Sequence, residues 1–236
     1  MTAEHAGYAA GAERVSADPA QRLVVVGAGG MGRCILDVID AMNRAASASG
    51  PAPLRVVGVV ADDEPVDDLL QRREVRFLGP LPLIDRLPPD VGYVIGIGAP
   101  AARARIDALL SRSGRTSPVV VHPNVHLGHD VRLAPGAVIC SHVSIEGNVR
   151  LGRHAHVNQN STIGHDSVVE PYATISPMVS VSGAVLVGAG AFVGAGASIR
   201  QGLTLGAGST VGMGAAVVRD VAPDVTVTGV PARPRT

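Results

Sequence analysis

Apolar and polar positions follow two different rhythms along this chain, and the change falls near residue 118. Before it, short apolar runs alternate with helical spacings. Arg22–Val26 reads as a buried parallel strand. A helical pattern follows through Cys34, Ile35, Val38, Ile39 and Met42. Leu54–Val60 is a second strand ending at Asp62 and Asp63, and Val75–Leu78 a short edge strand. Tyr93–Gly98 is a further strand, and a helix is predicted over Ala101–Leu110. Strand and helix in alternation predict a small parallel sheet with helices on its faces. After the junction Ser113–Pro118, the period becomes six. Val121, Leu127, Leu133, Ile139 and so on to Val217 form an unbroken register of seventeen aliphatic residues. A second set, four places later and mostly small, runs from Val125 to Ala215. Neither a helix nor a simple strand repeats every six residues; a parallel β-helix does.

The pattern divides the chain into a leader, residues 1–20, with no period and the composition of a disordered segment; an α/β domain, 21–117, of Rossmann-like type; and a β-helix, 118–236. Three hexapeptides make one triangular coil, so residues eighteen apart stack at about 4.8 Å. The first and fifth positions of each hexad point inward. Apolar residues make up 46% of the chain, yet Phe, Trp and Tyr together only 2%, as suits a narrow core of Val, Ile, Leu and Ala. Ala-Gly runs on the flat faces predict self-association, and a closed symmetric homo-oligomer is the usual outcome.

Formal net charge is zero, and no basic run suggests a nucleic-acid surface. The start of the chain lacks a signal-type apolar region, and no stretch reaches membrane-spanning length, so a cytoplasmic protein without membrane partners is expected. Cys34 and Cys140 are too few and too scattered for a disulfide framework or a cysteine zinc site. Cys140 lies one coil below Asn158, without an evident partner.

Gly27, Gly29 and Gly32 fit G-x-G-x-x-G between a strand and a helix, where free N–H groups suit a phosphate. The first acid at the end of the second strand, Asp62, stands thirty residues after Gly32, farther than the roughly 20 usual for a redox dinucleotide. A phosphate-bearing ligand other than such a dinucleotide fits better. On the β-helix, His165 and Asp166 take the third and fourth places of their hexad and face out, with Gly147 and Gly183 in the coils below and above. A histidine between two glycines has open space around it, and an adjacent carboxylate raises its basicity, as a general base needs. His129, two coils away on that face, gives a spacing similar to the histidine-held zinc of gamma carbonic anhydrases. Glu170 stands at the place of the third ligand, so no metal is expected. His142 could line the same cleft, His154 and His156 read as interface or surface residues, and His122 and His126 belong to the first coil.

Taken in order, VVVGAGGMG, VADD, VIGIG, NQNSTIGHD and the terminal GVPARP resemble the sialic-acid/bacillosamine-type sugar O- and N-acetyltransferases, over about residues 22–233. The usual crossover rule favours a right-handed β-helix; the resemblance implies a left-handed one. It also implies a homotrimer, acetyl-CoA as co-substrate in the groove between neighbouring β-helices, and a UDP- or dTDP-linked amino sugar as acceptor. By motif, His165 matches the catalytic base and Asp166 its acidic partner. Gly29, Gly30 and Met31 match the turn that holds the nucleotide phosphates, Asp62 and Asp63 an acidic pair near the base, Gly98 the strand-end glycine beside it, and Asn158 an acceptor-lining asparagine. Thr174, Gly183, Ala195 and Met213 match cofactor-contacting places. Two departures stand out: Met31 and Thr174 each replace a histidine usual in the family, so that either the acceptor differs from that of the best-known members or His156, directly beneath Thr174, takes over part of that role. The implied reaction is N-acetylation of a nucleotide-linked amino sugar. O-acetylation of sialic acid or another sugar, a non-catalytic nucleotide-sugar-binding scaffold and a zinc hydratase are the alternatives.

Overall fold

The computed structural model describes residues 21–47, 54–63, 65 and 68–235; the expected disordered leader, 1–20, lies outside them. The first unit is built on four parallel strands, β1 (Gln21–Val26), β2 (Leu54–Val60), β3 (Phe77–Gly79) and β4 (Gly92–Ile95), in the order β3-β2-β1-β4. The expected strand over Tyr93–Gly98 stops at Ile95, although the Gly96 N–H still donates to the Val26 carbonyl at 2.7 Å. Helices α1 (Gly30–Ser47) and α2 (Pro100–Arg112) follow β1 and β4. Leu23 and Val25 share a cluster with α1, while Val24 and Val26 share one with α2. Successive strand residues point to opposite faces, so β1 is covered on both sides.

From Val120–Val121 to Ala216–Val217, seventeen two-residue strands recur every six residues. Each of the first fourteen pairs in parallel with the strand eighteen residues on, as in Ile145↔Ile163↔Val181↔Ile199. The chain thus climbs three sheets as a regular prism. Inside, residues such as Ile163, Val169 and Ile175 are buried in one continuous cluster from Ile139 to Val227. At about 0.8 kcal/mol per buried CH₂, this ladder is the main source of stability. The register weakens only at the lower end, where Leu127 is 41% exposed because no coil lies beneath the first.

The fourth position of each hexad from Asp130 to Gly214 has a positive φ. Upper coils place glycine there, while Asn148, Asn160 and Asp166 occupy lower ones. Asn and Asp tolerate this left-handed conformation better than other side-chain-bearing residues. The β-helix docks on the first unit through Val120, Val138 and Cys140, which join the α1 cluster.

Candidate active site

His165 and Asp166 sit on the turn after the strand Thr162–Ile163. Their side chains are each 54% exposed, and His165 Nδ1 lies 2.7 Å from Asp166 Oδ2. A carboxylate only accepts, so Nδ1–H is the donor, and in the neutral imidazole Nε2 keeps its lone pair free. Two residues one coil below brace the pair. Asn148 Nδ2 donates to Asp166 Oδ1 at 3.0 Å, and Glu146 Oε2 accepts the His165 backbone N–H at 2.9 Å. The hydrogen bond with Asp166 raises the histidine's pKa above its ordinary value; partial desolvation opposes this, and the charges of Asp166 and Glu146 add to it. Asp166 is held below the usual carboxylate range by His165 and then Asn148.

The imidazole borders a shallow groove of about 320 Å³, lined also by Ser144, Glu146, Ser180 and Ser182. The space expected on both sides of His165 is open on one side only. Gly183 is where the ring leans: a Cβ there would stand 2.5 Å from Nε2. Among the described residues, the Gly183 N–H donates to no group.

The phosphate-turn residues form a second locality. Gly27 takes φ +109°, and a Cβ on Gly32 would lie 1.9 Å from the Gly27 carbonyl oxygen, so the helix starts hard against the turn. Gly29, Gly30 and Gly98 have open space where a Cβ would be. Met31 packs on the cluster containing Val138 and Cys140. Asp62 and Asp63 are exposed after β2, and Asp62 Oδ1 accepts the Leu81 N–H at 3.3 Å. Asn158 faces the seam between the two units, donating from Nδ2 to the Ile175 carbonyl at 2.8 Å. Ala195 and Met213 stack one coil apart higher up, and Met213 is 80% exposed.

Thr174 departs from the expected cofactor contact. It is buried, donating from Oγ1 to the Gly98 carbonyl at 3.1 Å and accepting from Arg103 Nη2 at 2.9 Å. Nor does His156 reach out in its place: it is fully buried, and neither ring nitrogen has a hydrogen-bond partner among the described residues. His154, expected as a surface or interface residue, is fully buried where the two units meet. It is stacked between Tyr93 and Tyr172 at centroid distances of 5.8 and 6.0 Å. His142 pairs with Asn124 at 3.0 Å. Among the described residues, no three His, Cys, Asp or Glu side chains gather as metal ligands, and no helix is long and apolar enough to cross a membrane.

The sequence reading missed a buried polar seam. Arg103 and Asp107 on α2 are both buried with Ile106 and Leu110. Arg103 donates to the carbonyls of Ile97, Gly98, His154, Tyr172 and Ala173. Burial lowers its pKa to about 10, so it stays charged at neutral pH. Asp107 accepts from Tyr93, Tyr172, Arg153 and His154. Burial works against its charge, but these donors prevail and hold the carboxyl well below its ordinary range. Residues 103, 106, 107 and 110 form one helical stripe, and two charges on a stripe that must be buried were the available signal.

The chain has the fold of hexapeptide-repeat acyltransferases, a Rossmann-like domain followed by a left-handed β-helix. Residues 22–108 match the PglD N-terminal domain. Perosamine N-acetyltransferase from Caulobacter crescentus, solved as a variant with CoA and GDP-perosamine, is 25% identical, with a TM-score of 0.81 over 91% of this chain and 97% of its own. The acetyltransferase domain of PglB from Neisseria gonorrhoeae is 26% identical, with a TM-score of 0.80 over 91% and 100%, and has also been solved with acetyl coenzyme A. WeeI from Acinetobacter baumannii is 26% identical, with a TM-score of 0.78 over 91% and 99%. Comparison with curated proteins by sequence gives no match. The chain has the architecture of the sugar acetyltransferases with a hexapeptide-repeat fold.

Proposed function

We propose that this protein transfers the acetyl group of acetyl-CoA to the amino group of a nucleotide-linked amino sugar, with His165 as general base. The observation that carries the reading is the His165–Asp166 pair at an open groove, with Nδ1 engaged by the carboxylate. The similarity to proteins solved with CoA, acetyl coenzyme A and GDP-perosamine supports it.

His165 Nε2 accepts the proton of the attacking amine as the new C–N bond forms at the thioester carbonyl. The C–S bond then breaks, and the imidazolium passes its proton to the departing thiolate, so that CoA leaves as its thiol and His165 returns to its neutral form. Asp166 fixes the tautomer and stabilises the imidazolium that forms. The Gly183 N–H, which has no acceptor among the described residues, is the donor we assign to the developing oxyanion. Gly29, Gly30 and Gly98 present open backbone to the nucleotide, with Asp62 and Asp63 nearby and Asn158 toward the sugar. We place acetyl-CoA along the coils by Ala195 and Met213, between neighbouring β-helices of a cytoplasmic homotrimer. The exposed side chains of Met178 and Met213 support burial against a second copy.

Incubating the purified protein with acetyl-CoA and UDP-, dTDP- and GDP-linked amino sugars tests the reading through release of CoA thiol and the mass of the product. An amide product survives mild base, whereas an ester does not. H165A should lower turnover on the order of 10²–10⁴-fold; near-normal turnover would refute the assignment. Light scattering tests the trimer.

A further inference from the structure

The chain's two cysteines, 106 positions apart, meet where α1 packs on the β-helix, with their sulfurs 3.6 Å apart. This corrects the expectation that they are scattered and that Cys140 lacks a partner. The two are not equivalent. Cys140 is fully buried, whereas Cys34 is only half-buried. The Gln159 side-chain amide donates to Cys34 Sγ at 2.9 Å, and Asn158 Oδ1 lies 3.9 Å from Cys140 Sγ. Cys34 Sγ thus has the Gln159 amide donating to it and the Cys140 thiol in contact with it. They bring its pKa down to about 7, the thiol contributing most, against burial and the charge of Asp37. Cys140 keeps its proton, its pKa pushed up by the same contact and by burial.

We propose that Cys34 and Cys140 form a reversible disulfide-forming site that ties α1 to the β-helix, with hydrogen peroxide as the class of oxidant. The Cys34 thiolate is the nucleophile, since thiolate character and access govern oxidation. It attacks one peroxide oxygen; an S–O bond forms, the O–O bond breaks, and the departing hydroxide takes up a proton as water. Cys140 sulfur then attacks the sulfenic sulfur; the S–S bond forms, the S–O bond breaks, and hydroxide leaves as a second water with the Cys140 proton. Two thiols and one peroxide give one disulfide and two waters. The bond would join the helix that opens at the glycine-rich turn to the coil just below Asn158 and Gln159. The inference stands on the sulfur geometry and is independent of the proposed acetyl transfer.

The full chain, reduced and then treated with hydrogen peroxide, is quenched with an alkylating reagent and its intact mass and peptides are measured without reduction. We expect the loss of two hydrogens, loss of both alkylatable thiols, and a Cys34–Cys140 linked peptide that dithiothreitol reverses. C34S and C140S should each abolish that product. Two alkylated cysteines, stable oxygen addition to either sulfur, or disulfide-linked dimers would each overturn the proposal, and the wild-type measurement decides without either variant.

Discussion

Gly183 lies one coil above His165, and a Cβ at its position would stand 2.5 Å from the imidazole Nε2. The nitrogen proposed to take the proton is therefore seated over a residue that has no side chain. G183A must push the ring aside while leaving the inward residues on either side, Val181 and Val185, in place. We expect turnover to fall on the order of 100-fold, the cost of misplacing a reacting group by about an ångström, with little change in Tm. Steady-state kinetics beside a thermal melt checks this; a variant with full activity would refute the seating.

The His165–Asp166 contact also fixes the sign of the pH dependence. A base acts only when unprotonated, so the rate should fall on the acid side as pH drops through the His165 pKa. That pKa is raised above 6.5, chiefly by the hydrogen bond with Asp166. The inflection of kcat/KM should therefore lie above 6.5 and move down in D166N, with a lower alkaline plateau. Asn tolerates the φ of +61° at this position, so the backbone is spared. An inflection that stays put in D166N would detach Asp166 from the base.

Asn148 acts one step further back. Its amide holds Asp166 Oδ1 and leaves Oδ2 to His165, which makes it a positioning residue. Its own φ is +61°, so N148G deletes the side chain from a conformation glycine adopts freely. We expect kcat to fall on the order of fivefold, the worth of one ordinary hydrogen bond, with KM for acetyl-CoA unchanged. The acid inflection should shift in the same direction as in D166N. A change in KM alone would assign Asn148 to binding instead.

The prism was legible because its constraint is local and repeated: each coil needs an aliphatic residue at the same place, and Val121–Val217 supplies one every six residues. His165 and Asp166 were legible for the same reason, since the register dictates which side chains leave the core. The seam was not. A period places a residue within its own unit and says nothing about which face meets the other unit. Arg103 and Thr174, or Cys34 and Cys140, come together only through docking. Tyr93 and Tyr172 were a missed clue, because two of the chain's three tyrosines ended up against one histidine.

Asp107 is the residue on which that docking should depend most. Its carboxylate takes hydrogen bonds from β4 through Tyr93 and from the β-helix through Arg153, His154 and Tyr172. Asn in its place accepts fewer of them and leaves the Arg153 cation without its partner. Breaking one side of a buried ion pair costs about 3–5 kcal/mol, so D107N should lower the denaturant midpoint markedly. Because the folded carboxyl titrates below its ordinary 3.8, its stabilisation is fully present above that value. It is lost as pH falls from there through the lower folded value. The difference in stability between wild type and D107N should thus be constant near neutrality and shrink on acidification below about pH 4. Denaturant titrations of both proteins across that range measure it, and a gap that widened in acid would show that Asp107 does not hold the seam as a carboxylate.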